Sequence, residues 1–176
     1  MPRLTTFDEY RDKYSASYVL EKTDDGILLM RMHTDGGPVV WGRAYYDTSN
    51  LLADLAGDRD IRVIIFTGTG ETFNANWRPP ARPKAEARVP TPPSPEMVEE
   101  MGWFGRNRHN NMLDIDAIMI AAVNGPVNIH AELPLMCDIV LASEDSYFQD
   151  SAHFPINLSP GDGVQNIMPR LIGWNR

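Results

Sequence analysis

Cysteine is almost missing from this chain of 176 residues: Cys137 is the single one. One thiol can form neither an internal disulfide nor a multi-cysteine metal site, so disulfide-stapled and zinc-finger architectures are excluded. Positive charge is also short, with 16 Lys and Arg against 24 Asp and Glu, a net charge of −8 and a pI near 4.9. Phosphate backbones are bound by clustered Lys and Arg, so no nucleic-acid partner is expected. No run of 18 apolar residues occurs, and the start carries no charged-then-apolar leader, which predicts a cytoplasmic chain with no membrane partner. No internal repeat is visible.

What is present suits one soluble domain over residues 1–176, with 43% hydrophobic and 23% charged residues. Near the start, "TTFDEYRDKY" carries a Thr-x-x-Asp signal at Thr5 and predicts a short helix. The two apolar runs of "YVLEKTDDGILLMRMH", joined by the turn at Asp24 to Gly26, predict a hairpin. "GGPVVW" and then "AYYDTSNLLADLAGD" read as a strand, a loop and a helix stopped at Gly57. "DIRVIIFTGTG", "AIMIAAVNG" and "DIVLAS" are apolar runs of the kind buried on both faces of a parallel sheet, and "SYFQD" reads as a further short strand.

Between these runs, residues 78–95 hold seven of the fourteen prolines and support no regular element. This stretch is read as an excursion or lid over the domain, because the pattern resumes on both sides. A helix weakened by Gly102 and Gly105 follows it from Pro95, and "AELPLMC" forms a helical turn. Strands alternating with helices give an α/β fold class.

One segment, "FQDSAHFPINLSPGDG" from Phe148 to Gly163, gathers a His, two Asp, two Pro and two Gly between apolar residues. A histidine suits general-base work because it titrates near neutral pH, and a carboxylate can orient it. Gly161 and Gly163 let the backbone turn tightly around Asp162.

The blocks "IRVIIFTGTGETFNAN", "IAAVNGPVNIHAELPLMCDIVLASEDSYFQD" and "SPGDG" resemble the crotonase superfamily, which includes enoyl-CoA hydratases and isomerases. The resemblance implies a spiral of repeated β-β-α units, with a C-terminal helical part beyond "PRLIGWNR". It also implies two backbone N–H groups forming an oxyanion hole, here at Trp77 and at Ile129 or His130. Family members that handle CoA show a Gly-Ala-Asp run where this chain has "NWR", and a triple glycine where it has "NIHAE".

"VVWG", "NGPVNIHAELPLMCDIVLAS", "FQDSAHFP" and "SPGDG" are closer to a smaller branch, the β-diketone hydrolases of the 6-oxocamphor hydrolase type. Those enzymes cleave a carbon–carbon bond between two carbonyls by adding water, a retro-Claisen reaction without CoA, cofactor or metal. Carried over by position, the resemblance makes His153 the base and Asp162 its orienting carboxylate. His130 and Trp41 become donors to the carbonyl or enolate oxygen. The expected partners are a small cyclic or bicyclic diketone and, in the full-length form, copies of the same chain in a homotrimer or dimer of trimers.

Two other readings stand beside this one. A CoA-thioester hydratase or isomerase of the same fold would use Glu132 with a second carboxylate near position 152, where this chain has Ala152; the Arg-rich "RPPARPKAEAR" could meet its nucleotide part. A non-catalytic or truncated subunit is the other. His33 and His109 need no more than solvated or hydrogen-bonded roles, and Asp150 reads as a loop-capping residue in preference to a further polar group near the site. "HAE" lacks the later Pro-Cys-x-x-Cys of zinc deaminases, and "GTGETF" lacks the third glycine of a dinucleotide site. Exposed apolar surface from a missing helical part predicts self-association.

Overall fold

A computed structural model of the chain describes residues 5–74, 94–150, 153, 159 and 161–174. Trp77 and most of the proline-rich stretch 78–95 lie outside these residues.

The first helix, α1 (Phe7–Lys13), starts one residue later than the Thr5 signal suggests. Thr6 is the cap: its hydroxyl accepts from the Glu9 N–H, and the Glu9 carboxylate accepts from the Thr6 N–H, so two otherwise unpaired donors are satisfied. The tyrosines of this segment anchor it to α2 (Arg43–Gly57), with Tyr10 donating to Asp58 at 2.6 Å and Tyr14 to Asp54 at 2.7 Å.

β1 (Tyr18–Lys22) and β2 (Ile27–Met32) form the expected antiparallel hairpin, with Tyr18 opposite Met32. Gly26 closes it at φ +84°, where a side chain would also strike the Asp60 carbonyl at 2.6 Å. β3 (Val63–Thr67), β4 (Ile118–Val123) and β5 (Ile139–Ala142) then add in parallel, giving a five-stranded sheet in the order β1-β2-β3-β4-β5. α2, α3 (Pro95–Leu113) and the short α4 (Glu132–Leu135) make the crossovers that parallel pairing requires, and α5 (Val164–Ile172) follows. α3 runs through Gly102 and Gly105, capped by Ser94 with Pro95 in its first turn.

The core lies on one face of the sheet, where Leu28, Met30, Ile64, Phe66, Met119 and Ala121 meet apolar residues of α2. Several expectations change here. β3 and β4 alternate between buried and partly exposed residues instead of being buried on both faces. β5 is exposed along its whole length and, among the described residues, is the outer strand of the sheet, paired with β4. "GGPVVW" forms no named strand: its backbone is taken up by a tight bridge between Thr34 and Gly37. "SYFQD" contributes one isolated bridge among the described residues, Val127 with Phe148.

Candidate active site

The chain ends of three parallel strands converge. Asn74 beyond β3 bridges Val127 beyond β4, and Val127 bridges Phe148 beyond β5. Open α/β sheets place their sites at these carboxyl ends, where loops from neighbouring strands meet. Gly125 permits the approach: it has φ +152°, and a Cβ there would collide with the Glu71 carbonyl.

Asn74 is fully buried and ties the loop after β4 together. Its carbonyl accepts from the N–H of Asn128 at 3.1 Å and of Ile129 at 3.3 Å, and its side-chain amide donates to the Ile129 carbonyl at 2.6 Å. The Ile129 N–H, expected in an oxyanion hole, therefore already has an acceptor. The next residue, His130, has φ +51°, a left-handed conformation that costs energy for a non-glycine residue and is held by the contacts around it.

Those contacts are electrostatic on one side and aromatic on the other. His130 Nδ1 lies 2.9 Å from Glu132 Oε1, 3.2 Å from Asp162 Oδ2 and 3.1 Å from Arg108 Nη2. The Trp41 ring meets the imidazole edge-on at a centroid distance of 4.6 Å, with Tyr45 at 5.8 Å. Trp41 donates its indole N–H to Asn74 Oδ1, so it braces the histidine while its own donor is engaged.

Asp162 joins two histidines. The same Oδ2 that faces His130 lies 3.2 Å from His153 Nε2, so the expected His153 and Asp162 pair does come together. Asp150, read from sequence as a loop cap, lies 2.6 Å from the other ring nitrogen, Nδ1. His153 therefore has a carboxylate at each nitrogen. Asp162 is 22% exposed and His153 15%, which leaves both within reach of a ligand.

Glu132 is different. Its side chain is 1% exposed and faces Arg108 at 3.4 Å, His109 at 3.6 Å and His130 at 2.9 Å. Burial pushes its pKa up, yet the His130 charge, the nearby His109 imidazole, the His130 hydrogen bond and the Arg108 charge outweigh that and hold it below the usual carboxylate range. An enclosed, ion-paired carboxylate of this kind is a poor proton carrier for a substrate.

One ligand atom from each of His130, Glu132 and Asp162 falls within 4.8 Å of the others, a spacing that could hold a metal ion. The Arg108 guanidinium already balances both carboxylates, at 3.4 Å and 3.8 Å, and would repel a second cation there.

Residues 43–176 match the family described as enoyl-CoA hydratase/isomerase. The chain belongs to that family. Among solved structures, a β-diketone hydrolase from the cyanobacterium Anabaena sp. PCC 7120, bound to (S)-3-oxocyclohexyl acetic acid, is 34% identical with a TM-score of 0.83. That match covers 96% of this chain and 64% of the hydrolase. An enoyl-CoA hydratase from Bacillus anthracis shares the fold at 21% identity and a TM-score of 0.69, covering 91% of this chain and 60% of its own.

Curated relatives include a probable peroxisomal enoyl-CoA hydratase of Arabidopsis thaliana, 27% identical over 131 residues, and a probable enoyl-CoA hydratase of Mycobacterium tuberculosis, 31% identical over 137. These matches take in 74% and 71% of this chain but only 45% and 44% of the relatives, so the chain spans a little under half their length. The α/β architecture is thus that of the crotonase fold.

One member of the cluster escaped the sequence reading, and another was not paired with its histidine. Arg108 sits in the polar run "NRHNN", yet it lies four residues before Met112 on the buried side of α3, a spacing that could have marked it. Asp150 stands three residues before His153, near enough in sequence to have been considered its partner. His33, given no role, lies away from the cluster and contacts the Ser15 carbonyl at 3.1 Å.

Proposed function

We propose that this chain is the core of a hydrolase that cleaves a carbon–carbon bond of a cyclic or bicyclic β-diketone. The observation that carries the reading is the placement of His153 between Asp150 and Asp162, with His130 across the same carboxylate. The 34% identity to a β-diketone hydrolase over nearly the whole chain supports it.

In this reading Asp150 fixes the His153 ring through Nδ1, and Nε2 takes a proton from water. The resulting hydroxide adds to one carbonyl carbon. The bond from that carbon to the carbon between the carbonyls then breaks, and its electron pair moves into the enolate of the remaining ketone. The enolate carbon recovers the proton, leaving a keto acid, with one water consumed per diketone. In this reading His130 donates to the enolate oxygen, and Trp41 would join it only by releasing Asn74.

The hydratase reading is supported by the names of the curated relatives. It asks Glu132 to exchange protons with substrate, whereas that carboxylate is enclosed by Arg108, His109 and His130.

The test is the loss of enol ultraviolet absorbance from a panel of cyclic and bicyclic 1,3-diketones, using the full-length protein. Turnover that falls by about 100-fold or more in both His153→Ala and Asp162→Asn is expected, in the range of a lost general base. A full-length protein inert toward every diketone but active on an unsaturated CoA thioester would replace this reading with the hydratase one.

A further inference from the structure

Arg108 is the most enclosed charge among the described residues: its side chain has no solvent exposure. A single atom, Nη2, lies within 3.1 Å of His130 Nδ1, 3.4 Å of Glu132 Oε1 and 3.8 Å of Asp162 Oδ1. Its guanidinium plane rests on the Tyr45 ring at 4.8 Å. Nε and Nη1 have no hydrogen-bond partner among the described residues, so the whole polar outlay of this side chain is directed at one cluster.

We propose that Arg108 is a positioning residue for the site, holding His130, Glu132 and Asp162 as one unit and fixing which atoms of the His130 ring face substrate. The proposal rests on the diketone hydrolase reading for its activity arm only.

Around His130 stand Arg108 from α3, Glu132 from α4, Asp162 from the turn before α5, and the rings of Trp41 and Tyr45. His109 stands behind Glu132. Two carboxylates and a guanidinium all face Nδ1, at 2.9, 3.2 and 3.1 Å. Without the guanidinium, Glu132 and Asp162 face each other across the ring with the imidazoles of His109 and His130 as the remaining balance. The histidine is already in a left-handed backbone conformation, so its ring orientation depends on these partners more than on its own backbone preference.

Why an arginine and not a lysine follows from shape. One nitrogen of the planar group faces all three partners while the guanidinium packs on the Tyr45 ring, and it is that packing which a point-charge ammonium does not reproduce. A Lys variant should therefore restore charge without full geometry.

The experiment compares full-length wild type, Arg108→Lys, Arg108→Met and the double variant Arg108→Met with Glu132→Gln. The double variant removes both buried charges and guards against simple misfolding. The first readout is the imidazole nitrogen resonances of His130 in nitrogen-15-labelled protein, which needs no substrate. The Nδ1 resonance is expected to move in Arg108→Met and in the double variant, and to return part of the way in Arg108→Lys. The second readout is diketone turnover: kcat is expected to fall by about 100-fold in the Met variants with KM changed far less, the size of effect a misplaced group of about 1 Å produces.

An unmoved Nδ1 resonance in a folded double variant would overturn the proposal whatever the substrate. So would a double variant that keeps wild-type kcat. A moved resonance in a protein with no diketone activity would leave the positioning role standing and sink only the hydrolase reading.

Discussion

The carboxylate of Asp150 lies 2.6 Å from Nδ1 of His153, closer than the 3.2 Å between Asp162 and Nε2 of the same ring. The two acids are therefore unequal partners. The nearer one is three residues away in the same loop, while the farther one is shared with His130.

This inequality decides which nitrogen does the proposed chemistry. If Asp150 accepts from Nδ1–H, then Nε2 is the basic nitrogen. Replacing Asp150 with Asn offers an amide that can donate to Nδ1 and favours the opposite tautomer. In the full-length enzyme, Asp150→Asn should lower kcat by about 100-fold or more, as loss of an orienting carboxylate does elsewhere, with KM nearly unchanged. Steady-state kinetics on a responsive 1,3-diketone checks it. An unaffected Asp150→Asn alongside an inactive Asp162→Asn would move the orienting role to Asp162.

Glu132 gives a prediction about stability that requires no substrate. Its folded pKa is below the ordinary 4.5, so the folded state binds fewer protons than the unfolded state as pH falls past that value. The stability it contributes is fully present above about 4.5 and is lost progressively below it, toward the folded pKa. Glu132→Gln should flatten this acid limb. At neutral pH the same variant strands the Arg108 charge in the interior and should cost about 3 to 5 kcal/mol. Urea unfolding at several pH values measures both effects; an acid limb of unchanged slope would mean Glu132 is not the group being titrated.

The fold was readable from the chain to different depths in different places. The hairpin turn, the three parallel strands and their crossover helices follow from apolar periodicity and turn residues, because local pattern decides them. Whether β5 is covered could not be read from "DIVLAS", since an apolar run looks the same in a central strand and at an edge. At the site, His153 and Asp162 were marked by their neighbours in the chain. Arg108 was not: it is enclosed with four partners from three separate stretches of chain, Tyr45, then His130 and Glu132, then Asp162, and no short motif records that convergence. Asp150 was seen but assigned a local role, because a carboxylate in a loop more often bonds its own backbone than a histidine.

The outer edge of the sheet bears on how this 176-residue polypeptide behaves when produced by itself. Ile139 is 46% exposed, Leu141 61% and, beyond α5, Trp174 82%. β5 pairs with β4 on one side, and among the described residues no strand pairs with its other edge. Such an edge is a template for association with another chain, and each large apolar group buried in the contact adds about 1.5 to 3 kcal/mol. The isolated polypeptide should therefore self-associate, and Leu141→Lys should weaken that association by about tenfold or more, since 1.4 kcal/mol already corresponds to a factor of ten. A lysine is effective here because its charge must be desolvated before a second strand can dock. Light scattering over a concentration series, with thermal unfolding to confirm that Leu141→Lys leaves the fold intact, makes the comparison; a wild-type polypeptide that stays monomeric throughout would show that this edge does not recruit a partner.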